Sequence, residues 1–350
     1  MVRRIAFAVP GDLATPTGGY AYDRRMLAEL ERIGWQIDVV NLGDGFPRPS
    51  DAERAGALAT LMDIPAGRAI VIDGLALGVL PDAAAQASIN HPLIALVHHP
   101  LAFESGLSPA QADAMFASER AALAAAKRVI VTSPATARVL AAQFGVPADR
   151  IIVALPGNDP VTPAKANDGN LIRLLAIGSI VPRKGFDVLI AALATLTDLP
   201  WQLVIAGDRT RNIKAASQLD ADIARLNLGS RVTVLGAVSD ERIADLCANA
   251  DLFTLASRYE GYGMAFSEAI ARGVPVIATT AGAIPETVPK GAGLLVPLDD
   301  VAAFAAALRR VIGDPDERCR MAAAARAAAL ALPTWQASAK IFSDALEAAA

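Results

Sequence analysis

Cysteine is almost missing from this chain: Cys247 and Cys319 stand far apart, with no histidine or cysteine at ligand spacing. That excludes a disulfide framework or a zinc module and leaves two reduced, core-filling thiols. Aromatic residues make up 5% of the chain, so the interior has to be built from Ala, Val, Leu and Ile. No apolar run approaches the roughly 20 residues that span a bilayer. The short run in "MVRRIAFAVPG" reads as a first strand rather than a signal peptide, and the expectation is a cytoplasmic protein. Excess positive charge is also lacking. The net charge of −4 argues against a nucleic-acid partner, and the charges are interspersed as on an ordinary solvated surface.

What is present is abundant apolar sequence: 53% of 350 residues, with a mean hydropathy of +0.38. That is enough for two cores. Twelve short β-branched runs recur. In the first half they are "RIAFAVPG", "QIDVVNL", "AIVIDGL", "LIALVHHP", "RVIVTS" and "RIIVALPG". In the second they are "IRLLAIGS", "QLVIAGD", "RVTVLGAV", "DLFTLAS", "PVIATT" and "GLLVPL". Runs apolar on both faces are what parallel strands look like under helices. Helical patterns such as "RRMLAELERI", "DVLIAALATL" and "VAAFAAALRRVI" alternate with them.

The fold class is therefore α/β, with two doubly wound Rossmann-like domains expected to face each other across a cleft. The Pro- and Asn-rich stretch "PGNDPVTPAKANDGN" marks the boundary, giving domains 1–163 and 164–335. A last helical segment, 336–350, caps the second domain or returns to the first; the sequence leaves both open.

The stretch "ASRYEGYGMAFSEAIARGVPVIATTAGAIPE" (256–286) carries the densest chemistry. It reads as a strand end, a loop and a helix start. Gly261 and Gly263 let backbone approach a ligand. The amides of Gly263, Met264 and Ala265 would point from a helix N-terminus, a ready diphosphate site. Glu268, one turn in, suits a ribose diol, and Glu260 suits hydroxyls of the group carried by the diphosphate. In the first half, "TPTGGYAYDRRML" sets Gly18 and Gly19 at a helix start, and "LIALVHHPLAFE" ends a strand on His98 and His99. Adjacent histidines point apart with no third ligand in view, so no metal is expected. "LDADI" spells Asp-x-Asp with Asp220 and Asp222 but lies in a helical pattern. Neither a dinucleotide fingerprint nor a nucleophile elbow is present, and no cofactor is expected.

"RYEGYGMAFSEAIARGVPVIAT…GAIPE" resembles the Glu-x7-Glu region of the retaining glycosyltransferases of family 4, which have the GT-B fold. "IGSIVPRKGFDVLIAAL", "LVIAGD", "RVTVLGAVSDERIADLCANADLF" and "GLLVPLDD" follow in that family's order. The resemblance implies a metal-independent hexosyltransferase acting on a nucleoside-diphosphate sugar, UDP-linked first, with a lipid, glycolipid or polysaccharide hydroxyl as acceptor. Glu268 takes the ribose role, Glu260 the donor-sugar role and Lys184 the phosphate role. His98, with His99 as its alternative, contacts the transferred sugar. Gly18, Gly19 and the segment Gly261, Tyr262, Gly263, Met264 and Ala265 line the donor.

One departure stands out: Ser179 follows Gly178 where the family carries arginine, and Arg183 is the candidate replacement. An acceptor in a membrane would imply peripheral contact with its inner face, yet no polybasic anchor is visible. Two rival readings are a GT-B-fold epimerase or hydrolase, marked by free sugar or an epimer without acceptor, and a non-catalytic sugar-nucleotide-binding protein, which would tolerate loss of His98.

Overall fold

The computed structural model describes residues 3–164 and 171–349, so the end of the expected linker, 165–170, lies outside it. Two compact units result: Met1–Gly157 together with Pro333–Ala350, and Asn158–Leu332. The chain thus crosses between units at Gly157/Asn158, six residues before the expected boundary at 163/164. Ala164 already belongs to the second unit, where its amide donates to the Arg272 carbonyl.

The first unit holds a sheet of six parallel strands: β1 (Arg3–Val9), β2 (Trp35–Asn41), β3 (Ala69–Asp73), β4 (Leu93–Val97), β5 (Arg128–Val131) and β6 (Ile151–Val153), ordered β2-β1-β3-β4-β5-β6. Every residue of β3 and β4 is buried, because helices cover both faces. The edge strand β2 is largely half-exposed, as an edge requires. From β1 the chain runs outward to β2 and then returns past β1 to β3. The strand order reverses between β1 and β3, and their carboxyl ends form the crevice where such sheets bind ligands.

The second unit repeats the plan with β7 (Ile172–Ile177), β8 (Trp201–Ala206), β9 (Val232–Gly236), β10 (Leu252–Leu255), β11 (Val276–Thr279) and β12 (Gly293–Val296), all parallel and ordered β12-β11-β10-β7-β8-β9. Its reversal lies between β7 and β10, whose register pairs Leu174 with Leu252. All twelve apolar runs are strands. The last helix, Trp335–Glu347, packs on the helix Gly18–Arg32 and on β5 and β6 of the first unit. There the Trp35 indole donates to the Ser343 hydroxyl at 2.9 Å, and the Tyr22 and Trp335 rings meet at 5.7 Å.

Two glycines at the second reversal are dictated by packing. Gly185 has φ +64°, and a Cβ there would lie 1.9 Å from the Ala256 carbonyl oxygen. A Cβ on Gly207 would lie 1.8 Å from the Gly178 oxygen. The loops after β7, β8 and β10 are thereby pressed backbone to backbone. Gly185→Ala is expected to lower the unfolding free energy by about 3 kcal/mol or more, from overpacking plus left-handed strain. Gly56→Ala, on the exposed helix Asp51–Met62 with open space around it, should raise it by about 0.5–1 kcal/mol. Urea denaturation of the two variants measures both signs.

Candidate functional site

In the second unit the loops after β7 and β10 meet on one buried carboxylate. Glu260 is 5% exposed. Lys184 Nζ lies 2.6 Å from its Oε1, and Ser257 Oγ donates to the same oxygen at 2.7 Å. Arg183 Nη1 lies 3.4 Å from Oε2 and donates to the Tyr259 carbonyl at 2.8 Å. Burial alone would raise the Glu260 carboxyl, but the Lys184 and then the Arg183 charges outweigh it and pull it down to about 2. The backbone is fixed as well: the Glu260 carbonyl accepts from the Ala283 amide at 2.9 Å, and the Arg258 amide donates to the Arg183 carbonyl at 2.7 Å. Arg183 therefore does stand beside Lys184, on the same carboxylate. Ser179 is half-buried at the end of β7, and a Cβ on Gly178 would crowd the Lys184 stem at 3.0 Å.

Beyond Glu260 the chain turns through buried Gly261 and Tyr262 into Gly263, which has φ 90° and ψ 60° and caps the helix Met264–Ala271. A side chain at Gly263 would strike Phe266 at 2.6 Å. The Phe266 amide bonds back to the Gly263 carbonyl at 2.9 Å. The preceding amides, of Met264 and Ala265, have no acceptor within the helix, and both residues are half-buried. A helix dipole and two such donors favour an anion.

One turn on, Glu268 is half-buried, and its carboxylate receives no hydrogen bond from any described residue. Burial pushes it up to about 7; Arg272 opposes this, while Asp240 and Asp159 add to it. It is an acceptor pair waiting for donors.

The first unit has its own cluster at the β1/β3 reversal. His98, just after β4, points its Nε2 at Asp23 Oδ1 (3.1 Å) and Asp73 Oδ2 (3.5 Å). Asp73 ends β3, and its Oδ1 caps the next turn by accepting from the Leu75 amide at 2.7 Å. Gly19 faces the imidazole edge, where a Cβ would come within 3.2 Å of Cδ2; Gly18 is exposed with open space around it. His99 turns elsewhere, to Glu104 at 3.3 Å.

The sequence reading passed over Asp23 and Asp73. Each carried a signal: Asp73 closes a wholly apolar strand, and Asp23 lies on the buried stripe of its helix with Tyr22, Met26, Leu27 and Leu30. Asp220 and Asp222 sit on the helix Ile213–Arg225, paired with Arg209 and Arg225.

Two parallel doubly wound units, each with its polar groups at the strand-order reversal, constitute the GT-B architecture. It matches sucrose-phosphate synthase of Thermosynechococcus elongatus with a TM-score of 0.83 at 22% identity, covering 99% of both chains. It also matches Anabaena HepE, solved with UDP and glucose, with a TM-score of 0.78 at 20% identity over 98% of this chain and 100% of that one. In sequence, the profile "Glycosyl transferases group 1" matches residues 161–328 and "Glycosyltransferase Family 4" matches residues 70–161. An MMP alpha-(1->4)-mannosyltransferase of Mycolicibacterium hassiacum is 30% identical over 270 residues, 71% of this chain and 64% of the relative. The match thus spans less than two thirds of that protein. The chain belongs to glycosyltransferase family 4.

Removing Lys184 strands a buried carboxylate. Lys184→Ala is expected to destabilise the protein by about 3 kcal/mol at pH 7. The folded Glu260 pKa lies below its unfolded value. The stabilisation Lys184 confers is therefore complete above about pH 4.5 and disappears as pH falls towards 2. Denaturation curves of wild type and variant should converge over that interval.

Proposed function

We propose that this protein is a retaining, metal-independent glycosyltransferase that moves a sugar from a nucleoside diphosphate, UDP first, to a hydroxyl of a lipid, glycolipid or polysaccharide. One observation carries the reading: at the β7/β10 reversal, Glu260 with its two cations, the helix start at Met264 and the Glu268 carboxylate, which receives no hydrogen bond, lie on two adjoining loops and one helical turn. A diphosphate fits the Met264 and Ala265 amides and the cation of Lys184 or Arg183. A ribose diol would give Glu268 the two donors it lacks, and Glu260 would accept from sugar hydroxyls. The UDP and glucose held by HepE are consistent with that donor.

For the chemistry, the same donors would stabilise charge as it grows on the departing diphosphate. Family resemblance favours attack from the face that the leaving group vacates, so that a phosphate oxygen takes the acceptor's proton. His98 is assigned a hydrogen bond to a hydroxyl of the transferred sugar. Gly18 has open space for a ligand, and Gly19 lets the helix start pack closely against His98 beside it. Among the described residues no helix is long and apolar enough to cross a membrane.

The test is a thermal-shift panel of UDP-, GDP- and ADP-sugars, followed by an acceptor screen with the stabilising donor, with and without chelator. The product anomer, read by NMR, decides retention. Glu268 is ionised above pH 7 and accepts best in that form, so affinity for the donor should rise between pH 6 and 8. Glu268→Gln should abolish that rise and weaken binding about tenfold, or ~1.4 kcal/mol. Binding flat in pH and indifferent to the substitution would sink the ribose assignment.

A further inference from the structure

The Asp23–Asp73–His98 cluster contains more negative charge than a sugar contact needs. Asp23 is fully buried and Asp73 is 2% exposed. Two buried carboxylates in contact are costly unless a cation or a proton lies between them. Neither makes an ion pair with a lysine or arginine among the described residues; the partner both share is His98 Nε2. The remaining oxygens fix the geometry. Asp73 Oδ1 is taken by the Leu75 amide, and Asp23 Oδ2 is buried with no hydrogen bond. Gly19 packs near Cδ2 and Nε2 of the ring; Nδ1 makes no hydrogen bond to a described residue and is not among the buried unpartnered atoms, and the side chain is 19% exposed.

We propose that Asp23 and Asp73 are positioning residues that hold His98 as a permanent imidazolium, with Nε2–H shared between two buried carboxylates and Nδ1–H presented as a charged donor. His98 then has no lone pair at neutral pH and cannot serve as a general base. It anchors a substrate oxygen by a charge-assisted hydrogen bond. This deepens the function proposed above, and its catalytic half rests on that reading: the acceptor's proton must go elsewhere, to the departing phosphate oxygen.

The surrounding groups agree. Burial alone would lower the His98 pKa, but Asp23 and Asp73 together reverse this and drive it well above the ordinary value. Asp23 is itself raised, by its own burial first. The other titratable group against the ring, Tyr22, stacks edge-on at 5.3 Å, is pushed well above its usual value and donates its hydroxyl to the Ala154 carbonyl at 3.0 Å, so it stays neutral.

The chain has three histidines, His91, His98 and His99, so ring-nitrogen NMR of ¹⁵N-histidine protein is assignable with H91Q and H99Q. In the wild-type full chain His98 should show protonated signals at both nitrogens up to pH 8.5. In D23N or D73N its titration midpoint should fall by about 2 pH units, and stabilisation by the sugar nucleotide should weaken while that by the bare nucleoside diphosphate stays close to wild type. Wild-type His98 titrating near or below pH 7 overturns the proposal without touching the transferase reading. So does a chelator-sensitive His98 signal, since the three ligand atoms lie within 4.8 Å of one another and a metal ion would use the same atoms. If no sugar nucleotide binds at all, the transferase reading fails while the titration result stands.

Discussion

The second unit depends on the ion pair between Lys184 and Glu260. It closes a short bridge between two loops that leave neighbouring strands of a parallel sheet, β7 and β10, at the point where strand order reverses. A parallel sheet brings such ends together but does not fix the loops beyond them. Here a carboxylate without solvent does so, because each of its oxygens faces a cation and one also receives the Ser257 hydroxyl. The glycines reinforce the bridge by making its backbone approach possible: Gly282, with φ +54°, sits where a Cβ would lie 2.3 Å from the Glu260 carbonyl oxygen. Arg258 ties the rim, pairing with Asp187 and Asp299. A site held this way is ordered before any ligand arrives, so binding need not supply that ordering.

The rest of the interior makes such bridges conspicuous. With few aromatics, the sheets are filled by Ala, Val, Ile and Leu, and β3, β4, β10 and β11 are buried at every position. A titratable group inside such a matrix is driven neutral unless a partner compensates it. The buried acids therefore separate by partner. Glu260 has two cations and is held low. Glu119 has only the Leu101 and Ala102 amides against its burial, and is pushed up to about 8 while it anchors the turn that follows His98 and His99.

The sequence made the periodic features legible. Each parallel strand announces itself by a short run apolar on both faces, and the alternation with helices gives two doubly wound sheets without any tertiary knowledge. Glu260, Lys184 and Glu268 were legible through the motif around them. The pairing of Lys184 with Glu260 was not, since 76 residues separate them, and no local pattern says which strand ends become neighbours. Asp23 was hidden differently. A carboxylate in a helix is ordinarily solvated, and its burial follows only from counting helix turns back from Met26 and Leu30. In the helices Asp51–Met62, Pro81–Asn90 and Pro315–Ala329, alanine-rich faces blur the contrast between buried and exposed positions.

Glu268 and His98 show how one apolar matrix yields opposite electrostatic roles. Both side chains are half-buried polar groups, Glu268 one turn into its helix and His98 just past the end of β4, and burial works against charge on each. Arg272 lies nearby but gives the Glu268 carboxylate no hydrogen bond, so burial prevails and pushes it up to about 7. His98 has two acids at its back, which reverse the effect of burial and fix its charge before any ligand is present. A neutral diol and a developing or hydrogen-bonding oxygen are the natural complements of these two states. The chemistry each group can perform is therefore set by the charged and polar groups packed against its side chain.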